Sequence, residues 1–136
     1  MFNKGEMNIY SDGLVKNENV KGGTFGLIIA NPPYSVKGFL ESLPEYERKK
    51  YELYKNITEN QIYTNNSIEC FFIERAKELL KANGIAAIIL PASLLTNNGI
   101  YIETRKLIFK YFKIIAISEF GVEHLGKQEL LLLHYF

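Results

Sequence analysis

Cysteine, histidine and proline are scarce in this 136-residue chain, and neither sign of charge dominates. The single cysteine, Cys70, excludes an internal disulfide framework and fits a reducing cytoplasm. It falls in an apolar helical pattern, where a thiol is expected to be buried and inert. One cysteine and two histidines do not make a metal site, so none is expected. Sixteen basic residues stand against fifteen acidic ones. A nucleic-acid partner therefore cannot be argued from bulk charge, and any basic footprint has to be local. No apolar run approaches the length of a membrane span. Residues Met1 to Gly5 lack the apolar core of a signal peptide. A cytoplasmic protein with no membrane contact is the expectation. Repeats and low-complexity segments are also absent. The composition is 47% hydrophobic, enough for one domain with a real core but not for two.

There are only four prolines, and two of them are adjacent. They lie in Phe25-Gly26-Leu27-Ile28-Ile29-Ala30-Asn31-Pro32-Pro33-Tyr34, where an apolar run of strand type ends abruptly. Neither proline can donate to a sheet ladder, and Pro33 forces Pro32 out of the helical region. The pattern predicts a stiff, extended turn at the carboxyl end of a buried strand. In open α/β sheets ligands bind at that end. An amide (Asn31), a carbonyl (Pro32) and an aromatic ring (Tyr34) suit a flat, amine-bearing ring better than a sugar or a phosphate.

Either side of this turn, the periodicities define further elements. Met7 to Tyr10 is a candidate short strand, followed by a turn over Ser11-Asp12-Gly13-Leu14. Residues 15–24 read as a polar loop closed by Gly22-Gly23. Residues 35–66 are irregular and read as an insertion or lid. Within them Ser42, Pro44 and Glu45 predict a helix start, with the helix running to about Tyr54. Its mixed charges suit a solvated surface. Alternatively it is a DNA-facing lid, with Tyr46, Tyr51, Tyr54 and Tyr63 available for stacking or phosphate contacts. Asn66 and Glu69 form a capping-box pair for the clearest helix, whose apolar face is Ile68, Phe71, Phe72, Leu79 and Leu80. Asn83-Gly84 is its expected left-handed stop. Ile85 to Leu90 is a second apolar strand ending at Pro91, and the short final loop predicts a right-handed crossover between parallel strands. A helix follows over residues 100–112 with a buried stripe of Ile100, Thr104, Leu107, Ile108 and Tyr111. Strands over 114–120 and 130–136 then form an antiparallel hairpin.

These motifs together resemble the N6-adenine DNA methyltransferases of restriction–modification systems, in particular the gamma class. Asn31-Pro32-Pro33-Tyr34 after an apolar strand resembles the catalytic motif of that family. Phe72-Ile73-Glu74-Arg75-Ala76, the strand Ile85 to Leu90, the loop Pro91-Ala92-Ser93-Leu94-Leu95 and Tyr101 to Leu107 resemble its following helix, strand, loop and helix in order and spacing. The resemblance covers roughly Met7 to Phe136. It implies a Rossmann-like class I methyltransferase half-domain over residues 1–136. Its sheet is expected to be mostly parallel, with a C-terminal antiparallel hairpin strand.

The resemblance also implies a chemistry. The N6 amine of adenine is a poor nucleophile because its lone pair is delocalised into the ring. The Asn31 side-chain oxygen and the Pro32 carbonyl are implied to accept its hydrogens and aim that lone pair at the methyl group of S-adenosylmethionine. Most of the catalysis is then positioning. The target base leaves double-stranded DNA by flipping, and Tyr34 is implied to stack on it while Pro33 braces the turn beside it. Asp12 is placed where the family contacts the adenine moiety of the cofactor, although a plain turn aspartate is an equal reading. Ala30 lies next to the cofactor by position alone. In the last hairpin His124 occupies a region where the family often puts an aromatic against the flipped base. A solvated loop histidine is the other reading.

The family's glycine-rich cofactor loop, its ribose-holding acidic residue and its target-recognition domain have no counterpart in these residues. The chain is therefore expected to be the catalytic-side part of a methyltransferase, binding cofactor weakly or not at all by itself. Its first strand, residues 25–30, is expected to leave an apolar edge that a second copy or upstream polypeptide covers. Protein-glutamine and RNA-guanine methyltransferases share the Asn-Pro-Pro turn and remain alternatives. A non-catalytic interface piece is another.

Overall fold

The computed structural model describes residues 13–16, 18–122 and 126–136. The expected strand at residues 7–10, together with Asp12 and His124, lies outside them. Strand β1 spans Phe25–Ala30. Helices α1 (Phe39–Ser42) and α2 (Glu45–Arg48), a 3-10 turn (Leu53–Asn56) and helix α3 (Glu59–Thr64) follow. Helix α4 (Ile68–Leu79) leads into β2 (Leu80–Pro91), and the short α5 (Ser93–Thr96) into α6 (Ile100–Tyr111). Strands β3 (Phe112–Val122) and β4 (Gly126–Tyr135) close the chain.

The four strands form one sheet in the order β1-β2-β4-β3. β1 pairs parallel with β2, whereas β2–β4 and β4–β3 are antiparallel. The expected mostly parallel sheet is thus met only in part, since among the described residues one strand pair in three is parallel. β4 inserts between β2 and β3 because its apolar residues complete the core face of β2. Leu131 lies opposite Ile88, Leu133 lies opposite Ala86, and all four are buried. The same antiparallel course satisfies the short β3–β4 connection.

Helices α4 and α6 cover this face. Leu107 and Ile108 of α6 and Ile68, Phe71 and Ile73 of α4 are buried there. Phe71 anchors an aromatic cluster, with edge-on contacts to Phe39 at 5.2 Å and Tyr51 at 5.4 Å between centroids. Residues 35–66 are attached to the core through Phe39, Leu40, Leu43, Tyr51 and Leu53, all buried.

Several local expectations are corrected. The helix expected from Glu45 to Tyr54 stops at Arg48. The backbone N–H groups of Glu52 and Leu53 donate instead to the buried Glu74 carboxylate, 22 and 21 residues away in sequence. Ser42 ends α1 instead of capping the next helix, whose N-cap is Pro44. Tyr51 is unavailable for stacking, because it is fully buried and its hydroxyl donates to the Leu14 carbonyl. Helix α4 starts after Ser67, not Asn66, and ends four residues before Asn83. Its last carbonyls are capped from the incoming loop: Gly23 N–H donates to Glu78 O at 2.9 Å and Thr24 N–H to Leu79 O at 3.1 Å. Leu80 then enters the sheet opposite Phe25. Asn83 does adopt a left-handed conformation (φ 64°), in the irregularity that follows. Gly84 has no room for a side chain there, since a Cβ would sit 2.8 Å from Leu80 Cδ2 and 3.1 Å from the Phe25 carbonyl oxygen.

Candidate functional site

The parallel pairing of β1 with β2 brings two loops to the same end of the sheet. Ala30 lies opposite Ile88, so the Asn31–Tyr34 turn and the loop after Pro91 emerge side by side. Two consecutive prolines end β1 because neither carries an N–H for the ladder. Ala30 is half-buried, Asn31 exposed, Pro32 buried, and Pro33 and Tyr34 half-buried. The turn is thus seated by Pro32 and presents the Asn31 amide outward.

Within the turn, the Tyr34 hydroxyl donates to Asn31 Oδ1 at 3.3 Å. Burial raises the Tyr34 phenol above its ordinary pKa, and the charge of Glu69 raises it further. The hydroxyl therefore keeps its proton at neutral pH and remains a donor. The next residue, Ser35, has a positive φ of 53°, a region that costs a non-glycine residue energy. Its backbone N–H donates to Glu69 Oε2 at 3.3 Å.

The capping-box pattern does not reveal where the Glu69 side chain goes. Its side chain does not turn back on its own helix. It is fully buried and takes two donors from elsewhere: Ser35 N–H and the Tyr101 hydroxyl, the latter at 2.7 Å on Oε1. Tyr101 lies in the first turn of α6, and burial raises its phenol too, with Glu69 adding to the rise. The signal for this in the sequence is the run Ile68-Glu69-Cys70-Phe71, a lone carboxylate among residues that all face the core. The second loop is pinned by Arg105, whose Nη1 donates to the Leu94 carbonyl at 2.6 Å. Ala92 N–H donates to the Lys127 carbonyl at 3.2 Å, tying the same loop to β4.

Cys70 behaves as the sequence suggests. It is fully buried, and desolvation pushes its thiol up to about 12. Tyr46 and Tyr63 are exposed, with Lys50 over the Tyr46 ring at 5.4 Å, and Tyr54 is half-buried beneath Arg48 at 5.8 Å. Among the described residues no cluster of three or more histidine, cysteine, aspartate or glutamate side chains is placed to hold a metal ion. No helix among them is long and apolar enough to cross a membrane.

A parallel β1–α–β2 unit, an antiparallel strand inserted beside it and a proline-braced turn at the strand ends define a methyltransferase-type α/β sheet. Solved structures agree with that class. A protein described as a class I S-adenosylmethionine-dependent methyltransferase from Listeria monocytogenes superposes with a TM-score of 0.69 at 17% identity, over 91% of this chain and 35% of that one. The M protein of the type I restriction enzyme EcoKI superposes with a TM-score of 0.58 at 15% identity, over 90% and 23%. A modification subunit of a type I restriction enzyme from Vibrio vulnificus YJ016 gives 0.58 at 17% identity, over 88% and 24%. The chain therefore spans about a third or less of the length of these proteins. No curated protein sequence matches it. The family model of the Eco57I restriction-modification methylase matches residues 2–125, and the chain belongs to that family.

Proposed function

We propose that this chain carries the catalytic turn of a DNA methyltransferase that methylates N6 of a flipped adenine. The observation that supports this most directly is the Asn31 amide. It is exposed at the carboxyl end of β1, beside a seated Pro32 and within hydrogen-bond reach of the Tyr34 hydroxyl. The amine of an incoming adenine donates one hydrogen to Asn31 Oδ1 and the other to the Pro32 carbonyl. With both hydrogens held, the nitrogen lone pair is directed out of the ring plane toward the donor. Tyr34 gives the flipped base a stacking surface in place of its lost neighbours, worth about 1–3 kcal/mol. Pro33 keeps the two acceptors in fixed relation, so little reorganisation is left for the reaction.

The methyl donor this reading requires is S-adenosylmethionine, which supplies an electrophilic methyl group when bound. The described residues fit one wall of its site. Ala30 is small and half-buried at the strand end, and β1 has no further strand beside it among the described residues. The other wall is assigned to polypeptide beyond these residues, with Asp12 a candidate contact on the approach to β1. His124, from the β3–β4 connection, is a candidate on the substrate side. Because the chain spans 23% to 35% of the length of the structural neighbours described above, activity is proposed for the complete protein.

The test is transfer of labelled methyl from S-adenosylmethionine to double-stranded DNA by the intact gene product, followed by nucleoside analysis. Label in N6-methyladenine, reduced on the order of a hundredfold or more by Asn31→Ala, is the expected result. Label in protein glutamine or RNA guanine would replace this reading with one of the two alternative substrates. No transfer to any of the three favours a non-catalytic interface piece.

A further inference from the structure

We infer that Glu69 is the positioning residue of the Asn31–Tyr34 turn, holding Ser35 in its left-handed conformation and tying the turn to α6 through Tyr101. The inference rests on reading that turn as the adenine-binding element.

Four observations carry it. A fully buried carboxylate is costly in a protein interior unless donors compensate it. Glu69 lies in the first turn of α4, where the helix dipole favours an anion, yet its side chain makes its hydrogen bonds outside its own helix. Both partners belong to the loop cluster: Ser35 directly after the turn, Tyr101 at the start of α6. Ser35 is also one of two non-glycine residues with positive φ among those described. Such a conformation persists where surrounding contacts over-determine it, and the Ser35–Glu69 hydrogen bond is that contact.

The geometry gives Glu69 a lever on the chemistry without touching substrate. The φ of Ser35 sets the direction in which the chain leaves the turn after Tyr34. Releasing Ser35 loosens the carboxyl-side anchor of the turn that carries both the Tyr34 ring and the Asn31 amide. Tyr101 fixes the carboxylate from the other side, at 2.7 Å. It belongs to the same helix that holds the second loop through Arg105 and Leu94. The two loops at the strand ends are therefore registered against each other through Glu69.

Amide hydrogen exchange of the 136-residue chain tests this without any methylation assay. In Glu69→Ala, amides of residues 34–36 are expected to exchange about tenfold faster or more, the factor for losing one hydrogen bond to a charged acceptor. Amides of β2 and β4 should be unchanged. Glu69→Gln keeps an acceptor for Ser35 and is expected to restore protection to within about threefold of wild type. A folded Glu69→Ala chain with unchanged exchange at 34–36 overturns the inference. If that variant does not fold, Tyr101→Phe decides the matter: several-fold faster exchange at the same amides supports the inference, and no change overturns it. In the intact gene product, Glu69→Ala should lower kcat with little change in KM for DNA, and Glu69→Gln should recover most of it. Failure of the wild-type protein to methylate adenine would remove the adenine reading while the exchange result still stood for or against the positioning role.

Discussion

The Tyr34 hydroxyl donates to the Asn31 side-chain oxygen across 3.3 Å, so the turn closes on itself before any substrate arrives. The bond is long and exposed, and breaking it costs little. On the proposed reading an adenine amine is a competing donor for the same oxygen, so substrate entry would exchange one hydrogen bond for another. The ring and the hydroxyl of Tyr34 then have separable roles. Tyr34→Ala removes the stacking surface and is expected to lower kcat/KM for DNA methylation by about 10- to 100-fold. Tyr34→Phe keeps the ring and should stay within about threefold, since only a weak exposed hydrogen bond is lost. Steady-state kinetics on the intact gene product would check both. Equal losses in the two variants would assign the role to the hydroxyl.

Ser35 offers a second handle on the same turn. At φ 53° a glycine is unstrained and a β-branched residue is badly strained. Ser35→Gly keeps the N–H that reaches Glu69 and is expected to leave the melting temperature unchanged or slightly raised. Ser35→Val should destabilise by about 1–2 kcal/mol. Thermal denaturation by circular dichroism gives the comparison. Indistinguishable melting of the two variants would argue against strain at this position.

What could be read from the sequence depended on how local the cause was. Phe25–Ala30 and the stretch around Ile85–Leu90 are apolar runs ended by prolines, and each signal lies inside the element it defines. The turn after Ala30 is legible for the same reason, because the prolines that shape Asn31 to Tyr34 lie within it. Glu69 was read as a capping partner because nothing nearby in sequence shows that Ser35 and Tyr101 converge on it, from 34 and 32 residues away. The helix expected to reach Tyr54 fails for a similar reason. Tyr51 and Leu53 are drawn into the core, and Glu74 satisfies the backbone that a helix would have satisfied. The early stop of α4 is set by the capping loop at Gly23 and Thr24, more than 50 residues upstream.

Glu74 should also leave a mark on the pH dependence of stability. Burial raises its pKa, and the N–H groups of Leu53 and Glu52 only partly oppose this, with Lys77 lowering and Glu78 raising it further. A carboxyl with a folded-state pKa above its unfolded value binds its proton more tightly when folded. Its contribution is therefore most favourable at low pH and is lost as pH rises from the ordinary glutamate value, about 4.3, through the raised one. Glu74→Gln removes this titration. The melting temperature of Glu74→Gln minus that of wild type should grow with pH over that window and then level off. Taking the difference cancels the opposite trend from the lowered carboxyls of Glu47 and Glu52. A difference independent of pH would contradict the assignment.

The edge of β1 carries the last prediction. Among the described residues the strand pairs on one side only, with β2, and its outward residues Leu27 and Ile29 are 58% and 77% exposed. An apolar edge with unpaired backbone groups is a template for another strand. A second copy of this chain is the partner this prediction tests. Self-association of the 136-residue chain at micromolar concentration is expected. Ile29→Lys puts a charge on the edge without touching the core face, because Ile28 and Ala30 are the residues that face inward. It should keep the circular dichroism spectrum and shift sedimentation toward the monomer. A wild-type chain that sediments as a monomer at all concentrations, with intact secondary structure, would show that the edge does not pair with itself. Further polypeptide would then be the partner to test, by adding the flanking sequence and asking whether Leu27 and Ile29 become protected.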